Sequence, residues 1–221
     1  MKIGESELEW LGHAGVFLKN SVNIYIDPYK ISDKSEKADL LLITHGHYDH
    51  FSLEDIKKVV KEGTKVVCPA ECQSKIARLE VTLDIRVIEE GQSLDLEGLK
   101  IIALPAYNTE NNFHPREAGG LGYLIKTEDF LVYHAGDTDS IPEMQKLTGH
   151  KQEGKDFVAL LPVGGRFTMS AEDAAEAANT IKPTLAIPIH WGSIVGSEED
   201  AQEFKELCEE KKIKVEIPGK T

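Results

Sequence analysis

The stretch Leu40-Leu41-Leu42-Ile43-Thr44-His45-Gly46-His47-Tyr48-Asp49-His50-Phe51 decides how the rest of the chain is read. Four consecutive apolar residues mark a buried strand, and directly behind them three imidazoles and a carboxylate fall within six residues. Neutral imidazole nitrogen and carboxylate oxygen suit zinc, manganese or iron, and a strand end holds such ligands on a rigid support with one metal face open. His45 and His47, two apart in extended chain, point the same way and can pinch one ion. A turn after His47 would set Asp49 and His50 beside a second position, as in two-metal centres whose ions lie roughly 3.5–4 Å apart.

Upstream, residues 7–19 predict two strands meeting at Gly12-His13-Ala14-Gly15, with Leu8, Trp10, Val16 and Leu18 facing inward. The strand Asn23-Ile24-Tyr25-Ile26 delivers Asp27-Pro28, where the proline has no amide hydrogen to continue a ladder. At that strand end Asp27 either braces a metal-binding histidine or is an ordinary turn aspartate before proline. Downstream, Ser52 caps a helix expected to reach about Glu62 with Gly63 stopping it. Val66-Val67 reads as a short buried strand and residues 71–79 as a second helix. Strands over 85–88, 94–96 and 99–104, joined by turns at Glu90-Gly91 and Glu97-Gly98, predict a meander that lengthens one sheet. Residues 105–120 have no regular pattern, and a segment that long inside a compact domain is expected to carry function; it contains Asn108 and His114.

A hairpin over 122–133 ends in His134-Ala135-Gly136-Asp137, where a strand-end carboxylate behind a glycine can bridge two cations. Taken alone, Gly136-Asp137-Thr138 behind a strand is more often a turn before a helix N-terminus. A short helix over 141–147, a solvated connection over 151–155 and an apolar strand over 157–161 follow. Gly164-Gly165-Arg166 makes either an anion-receiving corner or a tight turn with a surface arginine. Ser170 opens a helix rich in small residues that Pro183 ends. Residues 184–189 then repeat the pattern of an apolar strand closed by a histidine, His190. A helix over 197–211 and an edge strand over 213–217 complete the chain.

The 221 residues are read as one domain, 1–221, with a formal charge of −13. That charge argues against a general nucleic-acid surface, which needs clustered Lys and Arg. Bound cations could still reverse the local field and receive an anionic substrate. Three cysteines without zinc-type spacing, no signal-peptide pattern and no membrane-length apolar run predict a protein of the reducing cytoplasm.

His45-x-His47-x-Asp49-His50 behind an apolar strand resembles the signature of the metallo-β-lactamase-fold hydrolases. Glu9-Trp10-Leu11-Gly12-His13-Ala14-Gly15 looks like the opening of the subgroup that holds ascorbate-6-phosphate lactonase and the N-acyl-phosphatidylethanolamine phospholipase D enzymes. The resemblance implies an α+β fold, a four-layer αβ/βα sandwich of two mixed β-sheets flanked by helices. It implies two divalent metal ions, zinc first and manganese or iron as alternatives. One ion falls to His45, His47 and His114, the other to Asp49, His50 and His190, with Asp137 bridging and Asp27 supporting the loop. Several related subgroups carry the third histidine where Asn108 stands, so His114 and Asn108 are both candidates for that place. Asp49 and His190 are the catalytic candidates; Tyr48, Asn108, His13 and Arg166 are candidate substrate contacts. The implied activity is hydrolysis of an ester-type bond, phosphodiester or lactone, in a small metabolite by hydroxide on the dinuclear centre. An iron-dependent oxidoreductase of the persulfide dioxygenase kind and a non-catalytic metal-binding sensor are the alternatives.

Overall fold

Strands with both faces covered need apolar residues on each, and that is the pattern of the first third of the chain. In the computed structural model, which describes residues 1–96, 98–150 and 155–219, β1 (Lys2–Ile3), β2 (Ser6–Gly12), β3 (Gly15–Lys19) and β4 (Asn23–Ile26) form an antiparallel meander. Strands β5 (Leu40–Leu42), β6 (Lys65–Cys68) and β7 (Asp84–Val87) extend it in parallel, through crossovers that carry helices α1 (Leu53–Val59) and α2 (Ala70–Ile76). Leu11, Phe17, Tyr25, Leu41 and Val66 pack on the helix side against Ile56, Val59 and Ile76. Leu8, Trp10, Val16, Leu18 and Leu42 face the other way, into the core shared with a second sheet.

That second sheet runs antiparallel through β8 (Ser93–Leu96), β9 (Leu99–Pro105), β10 (Leu121–Lys126) and β11 (Phe130–His134). It then runs parallel through β12 (Asp156–Pro162) and β13 (Leu185–Ile189). Helices α3 (Ala171–Ile181) and α4 (Glu198–Glu210) belong to this half, each opened by a capping box, Ser170 with Asp173 and Ser197 with Asp200. The small buried side chains of Ala174, Ala175, Ala177 and Ala178 let α3 lie close on the core. The result is the expected α+β sandwich of two mixed sheets with flanking helices. Residues 151–154 of the expected connection and Glu97 of the expected turn lie outside the described residues.

Three local readings are corrected. The strand at 84–87 is no part of a meander with 93–96: it pairs in parallel with β6 in the first sheet. Ile88 N–H still bonds Cys68 O, while Gly91 N–H bonds Ala103 O in β9, so the chain between them crosses from one sheet to the other. Turn residues report a reversal but not the sheet that receives it. Helix α1 stops at Val59 because Val60 turns extended (φ −70°, ψ 151°) and is buried beside it; Gly63 serves the following loop. Residues 213–217 make a single bridge, Val215 to Ala186. Ala186 bonds both Lys214 O and Glu216 N there, but two residues on, where the same edge would donate again, stands Pro188, which has no amide hydrogen.

The two halves meet at the strand ends. The Trp10 and Trp191 rings stack at 4.6 Å, Trp10 Nε1–H and His190 N–H both donate to His13 O at 2.8 Å, and Leu121 N–H donates to Thr44 O at 2.9 Å. No helix among the described residues is long and apolar enough to cross a membrane.

Candidate metal centre

Behind β5 the chain turns back on itself: His50 N–H and Phe51 N–H both donate to His47 O, at 3.1 and 2.7 Å. This reversal brings Asp49 and His50 back to the site, the His50 ring 4.2 Å from that of His45. His45 Nε2 and His114 Nε2 lie 3.0 and 3.2 Å from His47 Nδ1. Asp49 Oδ2 lies 3.7 Å from His50 Nε2 and 3.9 Å from His190 Nε2. Between the groups sits Asp137, one oxygen 3.2 Å from His50 Nε2, the other 3.1 Å from His190 Nε2 and 3.3 Å from His114 Nε2. Residues from both sheets thus converge on one point. The donor sets His45, His47, His114 and His13, Asp49, His50, His190 each gather within reach of a single ion.

The surrounding hydrogen bonds select the tautomers. Asp27, fully buried, takes Thr44 N–H on Oδ1 (2.9 Å) and both Thr44 Oγ1–H (2.5 Å) and His50 Nδ1–H (2.7 Å) on Oδ2. With its hydrogen given to Asp27, Thr44 Oγ1 can only accept from His45 Nδ1–H at 3.0 Å. His114 Nδ1–H donates to Asn108 Oδ1 at 3.0 Å. In its neutral form each of these three imidazoles therefore turns its Nε2 lone pair to the centre, the arrangement that metal ligation requires. Asn108 does not face the centre. Its amide nitrogen is held by Asp139 Oδ1 (2.7 Å) and Phe167 O (2.9 Å), and its oxygen also receives His114 N–H, so of the two candidates His114 enters the cluster and Asn108 holds it.

Backbone strain concentrates here. His13, Asp27 and His190 adopt φ of 54°, 45° and 61°, a region non-glycine residues seldom occupy. Gly136 has φ +67°, and a Cβ on it would come 2.5 Å from Leu121 O, so the turn that presents Asp137 admits no side chain.

Burial alone would strip charge from these groups, and it holds His45 well below 6.5 and also lowers His47. Burial opposes the His50 imidazolium too, but the carboxylates of Asp137 and Asp27 outweigh it and raise His50 well above that value. Burial likewise disfavours charged Asp137 and Asp49. His190 and His50 overcome it at Asp137, and the His13 hydrogen bond (2.9 Å) with His50 overcomes it at Asp49, so both carboxyls stay well below the usual range. The cluster thus demands positive charge. It also leaves His50 Nε2, His190 Nε2 and Asp137 Oδ1 buried without hydrogen-bond partners, the pattern expected of atoms shaped to hold cations. The nitrogen and carboxylate donors fit zinc, manganese or iron.

The remaining candidates divide. Tyr48 is exposed beside the cluster and lines a cavity of about 250 Å³ that opens onto it, with Phe113, Phe167 and Ile194. Arg166 is exposed, lies over the Phe167 ring 5.0 Å from its centroid, and is outside that lining. A larger cavity, about 620 Å³, is bordered by His13, Trp10, Tyr29, Lys30 and Trp191, but none of the seven expected ligands lines it. Sequence reading missed two carboxylates that brace the site: Glu71, whose Oε1 takes Gly46 N–H at 2.7 Å, and Asp139 behind Asn108. Neither has a local signal, since each reaches its partner across the fold.

A family model described as the β-lactamase superfamily domain matches residues 7–190. The UPF0173 metal-dependent hydrolase of Methanopyrus kandleri is 36% identical over 222 residues, covering 95% of this chain and 94% of its own. The crystal structure of a protein from Parabacteroides distasonis superposes with a TM-score of 0.83 at 30% identity, covering 97% of both chains. Igni18, a metallo hydrolase of Ignicoccus hospitalis, superposes at 0.76 with 29% identity over 96% of this chain and 94% of its own.

Proposed function

This chain belongs to the β-lactamase superfamily and within it to the UPF0173 metal-dependent hydrolases, and from that premise we propose that it cleaves an ester-type bond, phosphodiester or lactone, in a small metabolite at a dinuclear centre. His45, His47 and His114 would hold one ion and Asp49, His50 and His190 the other, with Asp137 lying between the two sets. Such a pair, zinc first among the candidates, supplies an acidified water and a Lewis acid for the scissile bond. Around it the chain does the positioning. Asp49 Oδ2, already fixed by His13, can orient a water at the centre. Asp27 and Asn108 keep the His50 and His114 lone pairs aimed inward, and Phe113 and Phe167 shield one side from solvent.

The observation that carries this reading is the set of buried, partnerless ligand atoms around Asp137. It is tested by metal analysis of protein purified without chelator, followed by assay against bis(p-nitrophenyl) phosphate and a panel of lactones. About two zinc or manganese ions per chain with turnover is the expected result. One iron with thiol-dependent oxygen uptake would replace the hydrolase by a dioxygenase, and full metal loading without turnover would leave a sensor.

A further inference from the structure

The cavity beside the ligand atoms has a wall whose chemistry differs from its floor. Beyond the histidines and the two carboxylates it is formed by Tyr48, Phe113, Phe167 and Ile194, and no lysine or arginine lines it among the described residues. Three large hydrophobic side chains stand exposed among those residues, and two of them, Tyr48 at 65% and Phe113 at 52%, are at this cavity. Apolar groups left open together mark a surface that a ligand covers. The Phe113 and Phe167 rings meet edge to face, centroids 4.6 Å apart at 77°, so the wall is set rather than collapsed. Arg166 spends its charge on the outer Phe167 ring instead of entering the lining.

Resting on the hydrolase reading of this same site, we propose that the non-reacting part of the substrate is a compact, uncharged, ring-sized apolar group seated between Tyr48, Phe113, Phe167 and Ile194. Size supports this choice: a cavity of roughly 150 Å³ holds benzene, so about 250 Å³ takes one ring together with a reacting carbonyl. Charge supports it as well. A phosphate or carboxylate placed against Tyr48, Phe113, Phe167 and Ile194 would lose its water without meeting a lysine or arginine.

Three hydroxamic acids titrated calorimetrically into the zinc-loaded protein test the proposal, since the hydroxamate anchors all three alike. Phenylacetohydroxamic acid is expected to bind at least about tenfold tighter than acetohydroxamic acid, and the 4-carboxyphenyl analogue no tighter than the acetyl parent. In Phe113→Ala, and separately in Phe167→Leu, the phenyl advantage should shrink while acetohydroxamic acid binds unchanged, which certifies an intact metal site. Equal affinity of the phenyl and acetyl ligands, or tighter binding of the carboxyphenyl one, overturns the proposal. Turnover of methyl phenylacetate is assayed alongside. A retained affinity ratio without ester turnover leaves the pocket standing and removes the hydrolase reading, whereas turnover without the ratio does the reverse.

Discussion

Replacing Asp27 by asparagine tests the logic of the metal centre without changing its shape. Asparagine tolerates the φ of 45° found there and has nearly the same volume, so the backbone should stay in place. The chemistry changes sharply. Asp27 accepts three hydrogen bonds, one on Oδ1 from Thr44 N–H and two on Oδ2 from Thr44 Oγ1–H and His50 Nδ1–H. An amide with its oxygen toward Thr44 N–H points an NH₂ at His50 Nδ1 and forces that imidazole to move its proton to Nε2, removing the lone pair a metal needs. The flipped amide keeps His50 correct but sets two donors against each other at Thr44. Either way one buried polar group loses its partner, a cost of about 1–3 kcal/mol. Mutated supporting partners of metal-bound histidines typically lose about 10–100-fold in metal affinity, and each tenfold corresponds to about 1.4 kcal/mol, so the two estimates agree. The assay is competition with a chromophoric zinc chelator, which resolves the two ions, together with a thermal melt of the metal-free protein. The ion assigned to Asp49, His50 and His190 should weaken by that factor and the other by much less. Wild-type affinity for both ions in a folded Asp27→Asn protein would refute the tautomer argument.

Asn108→Leu removes the acceptor for His114 N–H and leaves Nδ1–H only the contact to Phe167 O at 3.2 Å, so the ion assigned to His45, His47 and His114 should weaken about 10–100-fold by the same titration; Asn108→Asp keeps the acceptor but sets an oxygen against Asp139 Oδ1 and Phe167 O, where the amide donates at 2.7 and 2.9 Å, and should weaken that ion as well. Gly136→Ala brings a methyl to 2.5 Å from Leu121 O at a φ of +67°; a loss of at least about 2 kcal/mol in urea unfolding is expected, with impaired metal loading through the displaced Asp137. All three cysteines are fully buried, and burial raises the thiols, Cys68 to about 11 and Cys208 to about 12. Thiolate is therefore scarce until pH rises well past 8, and a thiol reagent at that pH should label none in the native protein and all three in denaturant.

Local sequence carried the strand ends well. Leu40 to Leu42 before the histidines and Leu185 to Ile189 before His190 are buried on both faces, so apolar runs are the only composition that fits, and the polar residue that follows each run marks where it leaves the core. What stayed hidden depended on partners distant in the chain. Whether residues 84–87 join one sheet or the other is settled by parallel pairing with β6, which no turn motif encodes. Asn108 and His114 could not be ranked from spacing, because the answer lies in Asp139 and Phe167, brought alongside by the second half of the fold. The wall of Phe113 and Phe167 had the same origin: 53 positions separate His114 from the carbonyl of Phe167 that it touches, and only folding makes those loops neighbours.

The chain has two tryptophans, and they are stacked on each other where β2 meets the end of β13. All of its indole emission thus comes from one small region, next to His190 and His13, and none from the bulk of either sheet. Fluorescence is accordingly a local gauge rather than a global one. Circular dichroism in the peptide region averages over the whole molecule, so a divergence between the two signals during chelator treatment or gentle heating would reveal the halves parting at their strand ends while both sheets persist.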